Sequence, residues 1–263
     1  MAVGGLIITC AIVLVALFAP WISPRSPYSL SNEILQPPST RFLFGTDDLG
    51  RDIFSGIVYG ARTSLLLGLL SVCISTIVGV SIGAVSGYYG GKIDMLLMRI
   101  TELFQSMPLF FFALVLLSVF GTSIWNMIVV LGLLYSPIIA RLVRAQFLSL
   151  KERDFVLALR GMGISDSTIV FREILPNASI SIIVSVSLQI SQFILIEAGL
   201  SFLGLSDPNV MSWGFLLNNA KRFLRQCWWL PFFPGVAITL TTLGFNLIGD
   251  GINDALNPRL RER

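Results

Sequence analysis

An all-α, polytopic membrane bundle with six transmembrane helices is the architecture this sequence predicts, on three observations. Of its 263 residues, 54% are apolar and 13% charged, about half the charged share of an ordinary soluble domain. Six apolar stretches reach the length of about 20 residues that a helix needs to cross a hydrocarbon core of about 30 Å. The mean hydropathy is +0.81, and no polar stretch between the runs is long enough to hold a soluble domain.

The first run, 4–22, ends just before Pro24. It lacks a basic leading segment and a small-residue cleavage site, so it reads as an anchor helix and not a removed signal. Residues 23–60 follow as an external segment, rich in Pro and Ser at first and then helix-like. The second run, 61–86, and the third, 95–120, are joined by a short turn over 87–94. The fourth, 123–148, is interrupted by Pro137. Residues 149–178 form a long inner segment before the fifth run, 179–203. A second external segment, 204–229, precedes the sixth run, 230–250.

Orientation follows the excess of Lys and Arg on cytoplasmic loops. With the N-terminus inside, eleven basic residues are cytoplasmic: Lys92, Arg99, Arg141, Arg144, Lys151, Arg153, Arg160, Arg172, Arg259, Arg261 and Arg263. Seven are external: Arg25, Arg41, Arg51, Arg62, Lys221, Arg222 and Arg225. Both termini are therefore expected in the cytoplasm.

Several chemistries are excluded. There is no His, which removes Ser-His-Asp and Cys-His catalysis and His-ligated metals. Cys10 and Cys73 lie in apolar runs and Cys227 stands apart, so the three do not form a metal cluster. Gly90-Gly91-Lys92 lacks the upstream Gly and following Ser or Thr of a phosphate loop. A net charge of +3 is too small to suggest nucleic acid. No catalytic residue, bound cofactor or metal is expected.

Four groups of residues stand out. Ser71, Ser75, Gly79, Gly83 and Gly87 recur every fourth position of the second run, a smooth face for close helix packing. Glu197 is the one acid deep in a predicted span, where a charge costs at least a few kcal/mol. It either lines a passage with Ser185, Gln189 and Gln192 or fixes helix packing. Asp47, Asp48, Arg51 and Asp52 follow Thr46, a plausible helix cap; they either meet an external protein or cap an interfacial helix. In the inner segment, Phe155, Leu159 and Met162, with Val156 and Ala158 beside them, form an apolar face at helical spacing. Gly161 and Gly163 allow a turn, and Ser165 or Asp166 can cap a second helix. Such a unit either docks a partner or lies on lipid.

The inner segment resembles the EAA loop of ATP-binding-cassette importer permeases. Leu157-Ala158-Leu159 stands at the Glu-Ala-Ala position, with Gly163 and Leu175-Pro176 at the spaced landmarks; the Glu and second Ala are replaced by Leu. Phe44-Gly-Thr-Asp-Asp-Leu-Gly-Arg-Asp52, Ser86-Gly-Tyr-Tyr-Gly-Gly91, Glu197-Ala-Gly-Leu-Ser-Phe-Leu-Gly-Leu205 and Asp254-Ala-Leu-Asn-Pro-Arg-Leu260 resemble the dipeptide/oligopeptide/nickel branch, C-type subunit. The likeness covers essentially the whole chain, in order.

The resemblance implies a type I importer permease of the cell inner membrane, with 1–60 as anchor and external segment, 61–255 as permease core and 256–263 as a cytoplasmic tail. It implies a homologous second permease, two ATPase subunits that use ATP and Mg, and an external solute-binding protein. The coupling contact would lie at 157–166, with Phe155, Leu157, Ala158, Leu159, Arg160, Gly161, Met162, Gly163, Ser165 and Asp166 in or beside it. The cargo implied is small peptides or related solutes. The alternative is a secondary transporter driven by an ion gradient, which would show inverted halves and more midplane charges. An intramembrane enzyme lacks candidates for its chemistry.

Overall fold

A computed structural model describes residues 2–256, and among these the regular elements are all helices. The tail motif from Asn257 onward, with Arg259, Arg261 and Arg263, lies outside the described residues. Four helical stretches are long and apolar enough to cross a membrane. They are α3 (Ile53–Tyr89), α6 (Ile124–Leu150), the run Asp166–Leu205 and α11 (Trp229–Leu256).

The expected straight third span over 95–120 is two helices. These are α4 (Gly91–Gln105) and α5 (Leu109–Phe120), which meet at 82°. Pro108 explains the break: it has no N–H to donate and pushes its predecessor Met107 away from helical backbone. Ser106 closes the end of α4 through its hydroxyl, which donates to the Leu103 carbonyl at 2.7 Å. The first run also breaks, into α1 (Ala2–Leu17) and α2 (Ala19–Ile22), at Phe18 ahead of Pro20. Its 16 residues in α1 span about 24 Å, short of a full crossing. Of the six expected spans, four are long single helices, one is the bent pair α4 and α5, and the first is a short apolar helix.

The core of the bundle is α3 against α6, and the small-residue stripe is what permits it. Ser71, Ser75, Gly79, Gly83 and Gly87 are all buried. A Cβ on Gly79 would stand 2.6 Å from Ile139 Cβ, and one on Gly87 would stand 2.6 Å from Phe147 Cβ. Gly132 of α6 answers with the same intimacy toward Ile74. The stripe is therefore filled within the chain and is not a free face for a second subunit. Pro137 is accommodated inside α6 because the Ser136 hydroxyl donates to the Leu133 carbonyl at 2.8 Å, the acceptor that Pro137 leaves without its helical N–H.

The remaining helices wrap this pair. α9 (Leu175–Leu200) packs on α3, α6 and α11, and α1 runs antiparallel along α11, where Gly5 meets Leu247 and Gly244 meets Thr9. The fifth predicted run begins far earlier than residue 179. From α8 (Asp166–Thr168) the chain passes through a π-helical turn, Ile169–Ile174, straight into α9, and a second π turn, Ser201–Leu205, kinks at Gly204.

The two ends of the bundle differ. One end, the loop end, carries the turn at Gly90 and the segment between α6 and α9. At the opposite end, 18–52 and 206–228 fold on one another: the Tyr28 hydroxyl accepts from Met211 N at 2.8 Å, and Trp229 Nε1 donates to the Thr46 carbonyl at 3.3 Å. α10 (Trp213–Ala220) docks there on α3, with Trp213 N donating to Ser64 Oγ and Trp213 Nε1 to the Ile57 carbonyl.

Candidate functional site

At the loop end, Arg153 precedes α7 (Asp154–Gly161), a helix with an acid in its first turn and Arg160 in its last, matching the helix dipole. Its end is a Schellman turn. Gly163 N donates to the Arg160 carbonyl at 3.0 Å and Ile164 N to the Leu159 carbonyl at 3.1 Å. Gly163 takes φ +76° to make this turn, whereas Gly161 keeps ordinary helical backbone. The two glycines that read as a pair are therefore unequal, and only Gly163 needs to be Gly.

α7 divides its apolar residues between two faces. Val156 is fully buried and Leu159 half-buried, packed with Val143, Phe147, Ile169 and Ile174. Phe155 is 39%, Leu157 47% and Met162 67% exposed, with Ile164 beside them. Leu159 thus holds α7 to the bundle and is not part of the exposed surface; Leu157 is exposed on a different side of the helix from Phe155. Ala158, Arg160, Gly161, Gly163, Ser165 and Asp166 are distributed around the rest of the segment, and every residue of the stretch 157–166 except Leu159 is exposed. Ser165 stands at the cap position of α8, but its hydroxyl meets Thr168 Oγ1 at 2.8 Å and caps no backbone N–H.

The contacts that anchor this segment join residues of two separate sequence motifs, whose pairing neither motif reveals. Tyr88, the penultimate residue of α3, donates its hydroxyl to Asp166 Oδ1 at 2.5 Å, and the Arg160 guanidinium lies 5.0 Å from its ring centroid. Nearby, Arg144 of α6 pairs with Asp94 of α4 through Nε at 2.5 Å and Nη2 at 2.7 Å, and Ser86 also donates to Asp94. A signal for Tyr88 did exist: a phenol at the end of a long apolar helix carries a polar tip that seeks a partner when buried.

The four passage candidates do not share a surface. Glu197 is buried, and its Oε1 accepts from Ser212 Oγ at 2.7 Å and Ser201 Oγ at 2.9 Å. Ser212 in turn caps α10 by accepting from Phe215 N at 3.0 Å. Gly214 lets the carboxylate approach, since a Cβ there would stand 2.5 Å from Oε1. The carboxylate thus ties α9 to the start of α10. Gln189 is buried too and accepts from Ser75 Oγ at 3.1 Å. Gln192 is exposed and Ser185 half-buried. A cavity of about 550 Å³ between α3, α4, α5 and α6 is lined by Val78, Ile82, Phe104, Val129 and Leu133 among others, and holds none of the four.

At the opposite end the Asp-rich stretch folds inward. Asp47 Oδ1 accepts from Leu49 N at 2.9 Å and Arg51 N at 2.8 Å, while Oδ2 accepts from Arg51 Nε at 2.5 Å. Asp52 is the N-cap of α3, accepting from Ser55 N at 3.0 Å. Thr46 is not the cap; its hydroxyl donates to the Glu33 carbonyl. Arg51 lies 5.4 Å from the Phe215 ring centroid. Asp48 makes no side-chain hydrogen bond among the described residues. Cys227, just before α11, is buried, and burial pushes its thiol up, away from the reactive thiolate form.

Known proteins share this design. Residues 79–262 match the family described as binding-protein-dependent transport system inner membrane component, and residues 1–38 match the N-terminal TM domain of oligopeptide transport permease C. The dipeptide transport system permease protein DppC of Alkalihalophilus pseudofirmus is 41% identical over 99% of this chain and 86% of its own length. The di/tripeptide transport system permease protein DppC of Pseudomonas aeruginosa is 38% identical over 99% of this chain and 88% of its own. Among solved structures, an inward-facing form of the MetNI methionine ABC transporter superposes with a TM-score of 0.62 at 20% identity. It covers 77% of this chain and 96% of that one, a likeness of fold.

Proposed function

Because this chain belongs to the family of binding-protein-dependent transport system inner membrane components, we propose that α7 and the turn after it are where an ATPase subunit drives it, and that the cargo is small peptides. The chain is a multi-pass inner-membrane permease subunit of an ABC importer, not itself a catalyst, and ATP is used by its partners. Peptide cargo is supported by what the relatives from A. pseudofirmus and P. aeruginosa are named for. The ion-gradient alternative finds no counterpart in that family.

The observation that carries the coupling reading is α7 itself. An eight-residue helix flanked by Lys151, Glu152, Arg153 and Asp154 presents Phe155, Leu157 and Met162 outward. Exposed apolar side chains beside a charged rim are what an interaction site offers. Burying each such side chain is worth about 1.5–3 kcal/mol. The same helix lying on lipid would also cover these residues, so the test must identify the neighbour.

In the finer reading, the chain crosses six times, with α1 and α2 together as the first span and α4 with α5 as the third, and both termini are cytoplasmic. Two ATPase subunits, one per permease, serve it and a homologous second permease. That permease pairs through a face other than the Ser71–Gly87 stripe, which α6 occupies. Asp48 is left for the solute-binding protein, and Gln192 and Ser185 for the passage; Glu197 and Gln189 fix packing. The contact test is a Met162→Cys chain assembled with its ATPase subunits in membranes. A bifunctional maleimide is expected to join the introduced thiol to an ATPase chain. Capture by lipid-soluble probes with no ATPase adduct would refute the coupling site.

A further inference from the structure

The segment that would receive the ATPase is joined to α6 through 151–153 and packed on the bundle through Val156 and Leu159. On the far side of the Gly163 turn it has two further routes in, and they differ in stiffness. One is covalent: Asp166 leads through the π turn Ile169–Ile174 into α9. A π turn interrupts the regular helical ladder, is frequent at functional sites and is a place where a helix bends. The other is the phenol of Tyr88. Its ring is 5% exposed, set among Ile139, Val143, Phe147, Val156, Ile169 and Ile174. Its hydroxyl holds Asp166 Oδ1 at 2.5 Å, and Arg160 lies over its face at 5.0 Å. Arg160 and Asp166 stand on the two sides of the Gly163 turn, so one side chain grips both ends of the receiving segment.

Behind Tyr88 the path is rigid. Gly87, its neighbour, is seated against Phe147 and the Arg144 backbone, and Gly83 against Ala140 and Val143. A push on α7 that reaches Tyr88 therefore moves α3 and α6 together. On the Asp166 side of the turn, a push that does not reach Tyr88 is left to the π turn, which can bend. We propose that Tyr88 is a positioning residue for energy coupling, a strut that sends displacement of the 154–166 segment into the α3–α6 pair. This rests on the reading of that segment as the ATPase contact, and the experiment separates the two.

The assembled transporter in liposomes, with its ATPase subunits and binding protein, is assayed for ATP hydrolysis and for uptake of radiolabelled dialanine in four forms: parent, Tyr88→Phe, Tyr89→Phe, and the double variant Tyr88→Phe/Asp166→Ala. Each carries Met162→Cys for cross-linking. Peptide moved per ATP should fall roughly fivefold or more in Tyr88→Phe, in the range of ordinary coupling between sites. Tyr89→Phe removes the neighbouring phenol hydroxyl, which is exposed and makes no side-chain hydrogen bond among the described residues, and should stay close to parent. The double variant should be no worse than Tyr88→Phe, because both changes cut one bond. An unchanged ratio in Tyr88→Phe with the cross-link intact overturns the strut and leaves the ATPase contact standing. Proportional loss of hydrolysis and uptake with a lower melting temperature makes Tyr88 merely structural, which also overturns it. Absence of the cross-link in the parent removes both ideas.

Discussion

A Val in place of Gly163 would have to adopt φ +76°, a left-handed conformation that costs an ordinary L-residue about 1–2 kcal/mol and a β-branched one more. No atom crowds the site, since nothing lies within 4 Å of a Cβ placed there. The penalty is thus purely conformational and falls on the turn that sets α7. At Gly161 the same substitution meets open space and helical backbone. Gly163→Val is expected to lower uptake per ATP while the subunit still inserts; Gly161→Val is expected to leave the ratio near parent. Uptake and hydrolysis measured on both variants check this, and equal effects at the two positions would contradict it. The sequence showed two glycines near a turn, but spacing does not reveal which residue carries positive φ. Glu197 was legible as costly and therefore partnered; its partners Ser201, Ser212 and Gly214 were not, because α10 returns to it from a loop whose path no periodicity describes.

Among the elements, α3 and α6 depend on each other through contacts made at backbone distance. A Cβ on Gly83 would press on the Ala140 carbonyl and on Val143 Cβ at 2.7 Å. Neither can swing aside as the tip of a flexible side chain does. Gly83→Ala must force the two helices away from each other where they touch along most of their length, an overpacking that costs about 1–3 kcal/mol. Its purified, assembled transporter should melt lower than the parent, whereas Gly235→Ala, with nothing within 4 Å of the new Cβ, should melt alike. Equal melting of the two would mean the stripe is loosely packed. The stripe itself was plain in the sequence, because a four-residue period of small side chains is a direct statement about one helix face. That its partner is α6 of the same chain was not, since many helices would fit such a groove. The breaks at Pro108 and Pro20 were missed for another reason. Hydropathy registers how many apolar residues follow one another, whereas an 82° change of direction hides inside an unbroken apolar run.

For the whole molecule, the two ends of the bundle give the predicted orientation a direct test. Arg25, Lys221, Arg222 and Arg225 gather at one end with the exposed Trp228, as aromatic and basic residues do at a membrane interface. Lys151, Arg153, Arg160 and the exposed Met162 stand at the other. If the basic-residue bias sets orientation, Arg225→Cys in intact cells reacts with a membrane-impermeant maleimide from outside. Met162→Cys reacts only after permeabilisation. Cys10 and Cys73 are exposed along the apolar helices α1 and α3, and Cys227 is buried with its thiol pushed up, so the parent chain without either introduced Cys is labelled alongside as the blank. The reverse labelling pattern would put α7 on the side without ATP and remove the basis for coupling through it. The expected pattern would place the Phe155, Leu157 and Met162 surface in the compartment that holds ATP. It would also place that surface on the opposite side of the bilayer from Asp48, so that any signal between the two sides must travel along the long helices, α3 among them.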